Sequence, residues 1–261
     1  MRAMRKVHVI MRKEEVDEAK LAGKIAVVLD VLLATTTITT CLQHRAREVI
    51  PVRNAEEARE VLRERMERAE ELADGGNHPL RSSYILAGED GGRPIPGFEM
   101  PSPTIFREKV AGKSVILSTT NGTVAVSKTE SARHTYISSL LNGRAVAEHI
   151  ARDRDDESVI VICSGSSGHF SLEDYYGAGY FVYSLLQIEP SWELSDAARA
   201  ALYLYLGHST DAHAAAILQD ARVGQMILSY GQEEDLEYTA RLGVYPVVPY
   251  VDHARRRIVA L

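Results

Sequence analysis

Residues 25–37 of the chain read Ile-Ala-Val-Val-Leu-Asp-Val-Leu-Leu-Ala-Thr-Thr-Thr. Five apolar residues, Ile25 to Leu29, are followed at once by an acid and then by a segment that ends in three threonines. A short apolar run without alternation is typical of a strand that is covered on both faces, as in a parallel sheet flanked by helices. The stretch therefore predicts a buried parallel strand with Asp30 at its carboxyl end.

The same pattern occurs twice more, at Val115–Leu117 and at Val159–Cys163, and a loop of small polar residues follows each run. Gly-Lys precedes the first two runs, which indicates a weak internal repeat. We therefore predict an α/β fold, a layered sheet of mostly parallel strands with flanking helices, with two similar lobes around a cleft. Residues 1–261 would form a single unit, with a lobe boundary near 75–112.

Other elements are predicted from caps and periodicity. Asn54 and Glu57 have the spacing of a helix cap and predict a charged helix to about Ala73, which Asp74-Gly75-Gly76-Asn77 would stop. The density of Gly and Pro between Gly88 and Phe98 predicts irregular structure, in a loop that is either functional or a lobe boundary. The remaining predictions are strands at 135–140 and 245–251 and helices at 172–186, 195–206 and 212–228.

Composition limits the class of function. The 261 residues carry a net charge of −6 with scattered basic residues, which argues against nucleic-acid binding. Cys41 and Cys163 are the two cysteines, too few for a disulfide framework, and they suggest a reducing compartment. We see neither a signal peptide in Met1–Lys13 nor a membrane-spanning run, so we expect a cytoplasmic protein with no membrane partner. A homodimer is expected only because it is the commonest oligomeric state.

The loops after the three apolar runs are candidates for ligand binding, because ligands of α/β sheets bind at the carboxyl ends of strands. Hydroxyl groups and backbone N–H groups suit a phosphate or sulfonate. The threonines after Ala34 could instead cap a helix, and residues 118–123 could instead form an ordinary β-turn. The candidate substrate-binding residues are Thr35, Thr36, Thr119, Thr120, Asn121, Gly122, Thr123, Ser164, Gly165, Ser166, Ser167 and Gly168.

Four acids are candidate catalytic residues: Asp30, Glu89, Glu173 and Asp174. Asp30 follows a strand and Glu89 lies in a glycine-rich segment that does not need a carboxylate to turn. Capping of a helix would also explain Asp30, and it would explain Glu173 and Asp174 behind Ser171. Asp30, Glu89 and Glu173 could together supply the oxygen ligands that Mg²⁺ prefers, with water and a substrate phosphate completing the shell.

Three rival mechanisms lack their defining residues. A phosphatase of the haloacid dehalogenase type needs a second Asp two residues after the first, where this chain has Leu32. A cysteine phosphatase needs an Arg six residues after its Cys, and His169 stands there relative to Cys163. A serine hydrolase needs Gly-x-Ser-x-Gly, and the glycines at 165 and 168 have the wrong spacing.

Taken together, the motifs resemble the 2-phosphosulfolactate phosphatase family along nearly the whole chain. The matching segments are Asp30–Thr37, Gly88–Gly92 with Gly97-Phe98, Thr119–Thr123, Gly168–Asp174, Asp235–Tyr238 and Val244–Pro249. The resemblance implies an α/β fold and a Mg²⁺-dependent acid phosphatase that converts 2-phosphosulfolactate to sulfolactate and phosphate. This reaction is a step towards coenzyme M in organisms that make it.

Two positions depart from the family pattern, since Leu33 and Asp90 stand where that pattern has arginine. Loss of two guanidinium groups should weaken recognition of a substrate that carries both sulfonate and phosphate. Our hypothesis is that Asp30 and Glu89 hold Mg²⁺, that the 118–123 and 164–168 loops bind phosphoryl oxygens of a small anionic phosphorylated substrate, and that Glu173 or Asp174 positions water. The alternative is a binder or sensor of a phosphorylated or sulfonated metabolite without catalysis.

Overall fold

The computed structural model describes residues 5–72, 80–152 and 157–261. The predicted helix stop at 74–77 and the start of the predicted lobe boundary lie outside these residues. The strands are β1 Lys6–Ile10, β2 Ile25–Leu29, β3 Glu48–Val52, β4 Tyr84–Asp90, β5 Arg93–Pro94, β6 Ser114–Ser118, β7 His134–Ser138, β8 Val159–Cys163, β9 Glu193–Leu194, β10 Pro249–Asp252 and β11 Arg257–Ala260. The helices are α1 Ala34–Gln43, α2 Ala55–Leu72, α3 Pro103–Lys109, α4 Gly122–Ser127, α5 Gly143–Arg152, α6 Leu172–Ile188, α7 Asp196–Leu206, α8 Asp211–Asp220, α9 Arg222–Ser229 and α10 Glu233–Thr239.

In the described part of the chain the strands form one mixed sheet in the order β5-β4-β6-β3-β11-β10-β7-β2-β8-β1-β9. Strands β7, β2, β8, β1 and β9 are parallel to one another, and so are β3, β6 and β4. The hairpin of β10 and β11 joins the two sets through antiparallel pairings with β7 and β3. Because three antiparallel pairings separate β7 from β3, the two parallel sets run in opposite directions.

Helices cover both faces of the sheet. Along β2, Ile25, Val27 and Leu29 belong to a core that also contains residues of α5, α6 and α7, whereas Val28 packs with Ile38 of α1 on the other face. Every residue of β2 and of β8 is buried, which explains why both strands are apolar at consecutive positions. The predicted α/β fold with a mostly parallel sheet is therefore confirmed.

Several predicted elements are confirmed with small shifts. Strands β2 and β8 have the predicted bounds, and α2, α6 and α7 lie at the predicted places. The strand predicted at 245–251 is wrong at its start, because pairing begins only at Pro249 in β10. None of the helices in the described residues is long and apolar enough to cross a membrane.

The interpretation of Thr35–Thr37 as loop residues is wrong, because all three lie in the first turn of α1 and are fully buried. The hydroxyl groups of Thr35 and Thr36 donate to the carbonyl groups of Asp30 and Val31, at 2.9 and 2.8 Å. These bonds and the packing of the helix offset the low helix propensity of threonine.

The single helix predicted for 212–228 is wrong, because the chain is extended at Ala221 and separates α8 from α9. The two helices meet closely at Gly224, where a Cβ atom would lie 1.7 Å from the carbonyl oxygen of Leu218. The break has no Pro or Gly at its own position, so periodicity did not reveal it.

The prediction of irregular structure for 88–98 is also wrong in part. Residues up to Asp90 belong to β4, which forms an antiparallel hairpin with β5. Gly91 and Gly92 make the turn with φ of 57° and 79°, values that glycine adopts without strain. Pro94 is tolerated because β5 is the edge strand of the sheet.

Candidate active site

Loops from both parallel sets meet around one cleft, which we call the principal cleft, with a volume of about 260 Å³. Most of its polar lining comes from the end of β4 and from the segments that follow β2, β6 and β8, and Arg222, Tyr230 and Gln232 contribute the rest. The predicted site residues among its lining are Asp30, Glu89, Thr119, Thr120, Asn121, Ser166 and Ser167. The residues predicted from the strand ends thus line one cavity, as expected for the ligand site of an α/β sheet.

Asp30 is buried at the floor of this arrangement, with 7% of its surface exposed. Its backbone N–H donates to Thr35 Oγ1 at 3.0 Å, so the threonine hydroxyl group holds the turn from β2 into α1. The carboxylate faces the start of α4, where a Cβ atom on Gly122 would lie 2.8 Å from Asp30 Oδ2. Only glycine leaves room for the acid at this point.

Burial and then the negative charges of Glu89 and Glu173 raise the pKa of Asp30 from its ordinary value of 3.8 to about 7. The backbone N–H of Ala34 and the ammonium group of Lys13 oppose this rise. A carboxyl group with a raised pKa in a cleft, next to other acids, is typical of a functional site. The site therefore concentrates negative charge that a cation would stabilise.

Glu89 is held by three donors. Its Oε1 accepts from the Thr120 N–H at 2.7 Å, and its Oε2 accepts from the Thr120 hydroxyl group at 3.1 Å and from the Gly92 N–H at 2.6 Å. The carboxylate therefore joins the β4–β5 turn to the loop after β6. It also presents a fixed negative charge to the principal cleft.

Glu173 and Asp174 lie in the first turn of α6 and are both 2% exposed. Asp174 accepts from the backbone N–H groups of Val31 and Gly165, at 2.8 and 3.0 Å, and so joins the loops after β2 and β8. Burial and then the negative charges of Asp30 and Glu173 raise the pKa of Asp174 well above its usual range. Asp174 thus holds the loops after β2 and β8 together beside Asp30.

Glu173 lines a second, smaller cavity, next to the principal cleft, together with Ser166 and Arg222. Burial raises the pKa of Glu173, whereas its hydrogen bond with Ser171 and the positive charge of Arg222 oppose that rise. Glu173 therefore acts on Asp30 through its charge but is not among the residues that line the principal cleft.

The other predicted substrate-binding residues hold the loops in shape. Thr123 donates its hydroxyl group to the carbonyl group of Thr119 at 2.9 Å, and Gly168 accepts from Arg12 at 2.8 Å. Ser164 is fully buried at the end of β8. The predicted residues that do not line the principal cleft are Thr35, Thr36, Gly122, Thr123, Ser164, Gly165 and Gly168.

Sequence reasoning missed Lys13, which is buried just after β1. Its Nζ donates to Asn121 Oδ1 at 2.8 Å and to the Ser164 carbonyl group at 3.3 Å, and it pairs with Glu14 at 3.1 Å. Because an ammonium group only donates, Asn121 must turn its oxygen towards Lys13 and its NH₂ group away. The short alternating strand β1 was the signal that could have located this lysine.

Arg222, at the start of α9, was missed as well. Its Nη2 donates to the carbonyl group and to the hydroxyl group of Ser166, at 3.0 and 2.7 Å. The residue lines the principal cleft and is exposed. It could be found only by recognising the helix break at Ala221.

The remaining lining is largely apolar. Leu32 and Leu33, which are joined by a cis peptide bond, lie in the loop after β2. Val223, Met226 and Ile227 come from α9. Leu33, which stands where the family pattern has an arginine, thus contributes an apolar side chain to the cleft.

The donor chemistry of the site fits Mg²⁺. Asp30, Glu89 and Glu173 offer oxygen atoms only, and a bound cation would offset the burial and the repulsion that together raise the pKa of Asp30. Among the described residues, no group of three or more His, Cys, Asp or Glu side chains is arranged to hold a metal ion. Mg²⁺ is commonly held by one or two carboxylates with phosphate oxygens and water. The three-carboxylate ligand set stays a prediction.

Cys163 ends β8 just before the serine-rich loop and is a buried free cysteine. Burial and the neighbouring negative charges of Asp174 and Glu173 raise the pKa of its thiol well above the usual range. Such a thiol does not ionise near neutral pH and is a poor nucleophile. This supports the sequence-based exclusion of a cysteine phosphatase.

Carboxylates and hydroxyl groups at the strand ends of an α/β sheet, with an arginine from α9 beside them, form a cleft suited to a small anionic molecule. The family model described as 2-phosphosulpholactate phosphatase matches residues 10–254. The chain belongs to the 2-phosphosulfolactate phosphatase family, whose activity is that of phosphoric monoester hydrolases. The resemblance inferred from the motifs is confirmed, and family membership favours the enzyme over a binder without catalysis.

Relatives in bacteria are similar along almost their whole length. A "Probable 2-phosphosulfolactate phosphatase" of Clostridium perfringens (strain SM101) is 36% identical over 93% of this chain and 92% of the relative. Proteins with the same description from Carboxydothermus hydrogenoformans and Clostridium beijerinckii are 35% and 31% identical, over 94% of this chain and 92% and 95% of the relatives.

Proposed function

We propose that this protein hydrolyses the phosphate ester of a small acidic 2-hydroxy acid, 2-phosphosulfolactate, to sulfolactate and inorganic phosphate. The observation that carries the proposal is the family match over residues 10–254, which spans every element that contributes to the principal cleft. A role on the way to coenzyme M stays a prediction from the resemblance.

Mg²⁺ is the metal that we propose for the reaction, held by Asp30 and Glu89 with Glu173 nearby. When bound, it would neutralise charge on the phosphoryl oxygens and orient an in-line attack by water. The raised pKa of Asp30 and the fixed orientation of Glu89 support this assignment. Asp174 would act by holding the loops around Asp30, because backbone N–H groups occupy both of its oxygen atoms.

The phosphoryl group would be bound by the loops after β6 and β8. Thr119, Ser166 and Ser167 offer hydroxyl groups in the principal cleft. Asn121 would add N–H donors, because its oxygen atom is turned towards Lys13. These neutral donors can bind an anion without a balancing cation in the loop.

Substitution of the two acids tests the proposal. Asp30→Asn should lower kcat for phosphate release from 2-phosphosulfolactate at least about 100-fold, because it removes the charge that would hold the metal. Glu89→Gln should cost about 10-fold, because the amide keeps only one acceptor for the donors of Thr120 and Gly92. Steady-state kinetics with Mg²⁺ would measure both effects.

The matched control is Glu108→Gln, which makes the same chemical change at an exposed position on α3. It should leave the kinetic constants within about twofold, as surface changes usually do. Circular dichroism spectra would show whether each variant is folded. If Asp30→Asn and Glu89→Gln both fold and keep wild-type turnover and Mg²⁺ dependence, the assignment is wrong.

A further inference from the structure

The charge of the principal cleft is uneven. Asp30 and Glu89 supply negative charge, and among its lining residues in the described chain Arg222 is the only lysine or arginine. Substrates of the proposed class carry a carboxylate or sulfonate besides the phosphate that is removed. That second anionic group needs a partner that the phosphoryl-binding loops do not offer.

Arg222 has the geometry of such a partner. The two bonds from Nη2 to Ser166 hold the guanidinium group beside the loop after β8. The Nε and Nη1 groups have no hydrogen-bond partner among the described residues, which leaves three of the five N–H donors for a ligand. A planar guanidinium group binds carboxylate and sulfonate oxygens more specifically than an ammonium group does.

Among the described residues, the guanidinium group of Arg222 is not engaged in an ion pair. Its positive charge opposes the rise in the pKa of Glu173, but the two side chains form no salt bridge in the described structure. Apolar side chains of Leu33, Val223 and Met226 form much of the rest of the lining. They can contact the carbon skeleton of a ligand but cannot pair with its anionic group.

We propose that Arg222 forms the subsite for the anionic group of the substrate that is not transferred, a carboxylate or a sulfonate. This inference rests on the proposed phosphatase function. It makes α9 the element that selects acidic phosphate esters, in place of arginines at positions 33 and 90.

The test compares Arg222→Gln with wild type on three esters: phospholactate, which has a carboxylate, 2-phosphooxyethanesulfonate, which has a sulfonate, and isopropyl phosphate, which has neither. KM for an ester whose anionic group binds Arg222 should rise about 10- to 100-fold, the range expected for charge-assisted hydrogen bonds. For isopropyl phosphate, Arg222→Gln should have the same kinetic constants as the wild type. The acidic ester that is more affected identifies the group that Arg222 binds.

Two further variants serve as controls. Arg222→Lys keeps the charge but loses the planar fork, so its KM should be intermediate. Arg199→Gln makes the same chemical change at an exposed position on α7 that lines none of the cavities around the site, and it should change KM by less than about twofold. Unchanged KM for both acidic esters in Arg222→Gln, or equal losses on all three esters, would overturn the inference.

Calorimetric titration with sulfolactate, the proposed product, separates failure of the inference from failure of the proposed function. If the wild type releases no phosphate but sulfolactate binds, and Arg222→Gln weakens that binding about 10-fold or more, the subsite stands and the phosphatase proposal fails. If the wild type hydrolyses the esters and Arg222→Gln behaves like it, the subsite is wrong and the phosphatase stands. If the wild type neither hydrolyses the esters nor binds sulfolactate, both proposals fail.

Discussion

Asp30 combines deep burial with a negative charge that no ion pair neutralises among the described residues. The ammonium group of Lys13 lowers the pKa of Asp30 but is bonded to Asn121, Ser164 and Glu14. Sequence reasoning located Asp30 because it follows an apolar strand, and Glu89 because the glycine-rich segment around it does not need a carboxylate to turn. It missed Lys13 and Arg222, because they depend on β1 and on the break at Ala221, which were not predicted.

At the residue scale we predict an unusual pH dependence of stability in the metal-free protein. The folded state binds the Asp30 proton more tightly than the unfolded state does, because the folded pKa is about 7 and the ordinary value is 3.8. The contribution of Asp30 to the free energy of unfolding is therefore present below about pH 4 and lost as the pH rises through about 7. Asp30→Asn has no carboxyl group to ionise at this position, so its free energy of unfolding should not decrease in this way.

Urea unfolding in chelator at a series of pH values measures the effect. The difference in the free energy of unfolding between wild type and Asp30→Asn should shift in favour of the variant as the pH rises, with each unit of pKa difference worth about 1.4 kcal/mol. Glu108→Gln should run parallel to wild type. Parallel curves for Asp30→Asn as well would contradict the raised pKa.

At the element scale, the buried strands were the most predictable part. β2 and β8 are covered on both faces, so their apolar runs coincide with the strands themselves. The division between α8 and α9 was not predictable, because both halves retain helical periodicity and the close contact of the two helices at Gly224 leaves no local pattern. The β4–β5 hairpin was missed because its Gly and Pro residues are typical of loops.

Gly224→Ala tests this packing. The added methyl group would meet the carbonyl group of Leu218, so α8 and α9 must move apart, and we expect a loss of about 1–3 kcal/mol in the free energy of unfolding. KM should rise too, because α9 carries Arg222. Urea denaturation and steady-state kinetics would measure these effects.

Gly207→Ala, at the end of α7, is the matched control. Its nearest atoms would be 3.6 Å from the new Cβ atom and its φ of −70° suits alanine. It should leave stability and KM nearly unchanged. Equal behaviour of the two variants would show that the contact between α8 and α9 is not tight.

At the scale of the whole molecule, the C-terminal hairpin determines how the site is assembled. β10 and β11 join two parallel sets that run in opposite directions, and loops from both sets line the principal cleft. The sequence predicted the α/β class and the loops, because local apolar runs carry that signal. It did not predict the order of strands, because pairing between distant segments leaves no local pattern.

Mg²⁺-dependent phosphatase activity is tested by phosphate release from 2-phosphosulfolactate by the wild-type protein, measured with Mg²⁺ and then with chelator. We predict release that stops on chelation and returns when Mg²⁺ is added back. Absence of release from folded protein, or release that chelator does not affect, would show that the protein is not a Mg²⁺-dependent phosphatase for this substrate.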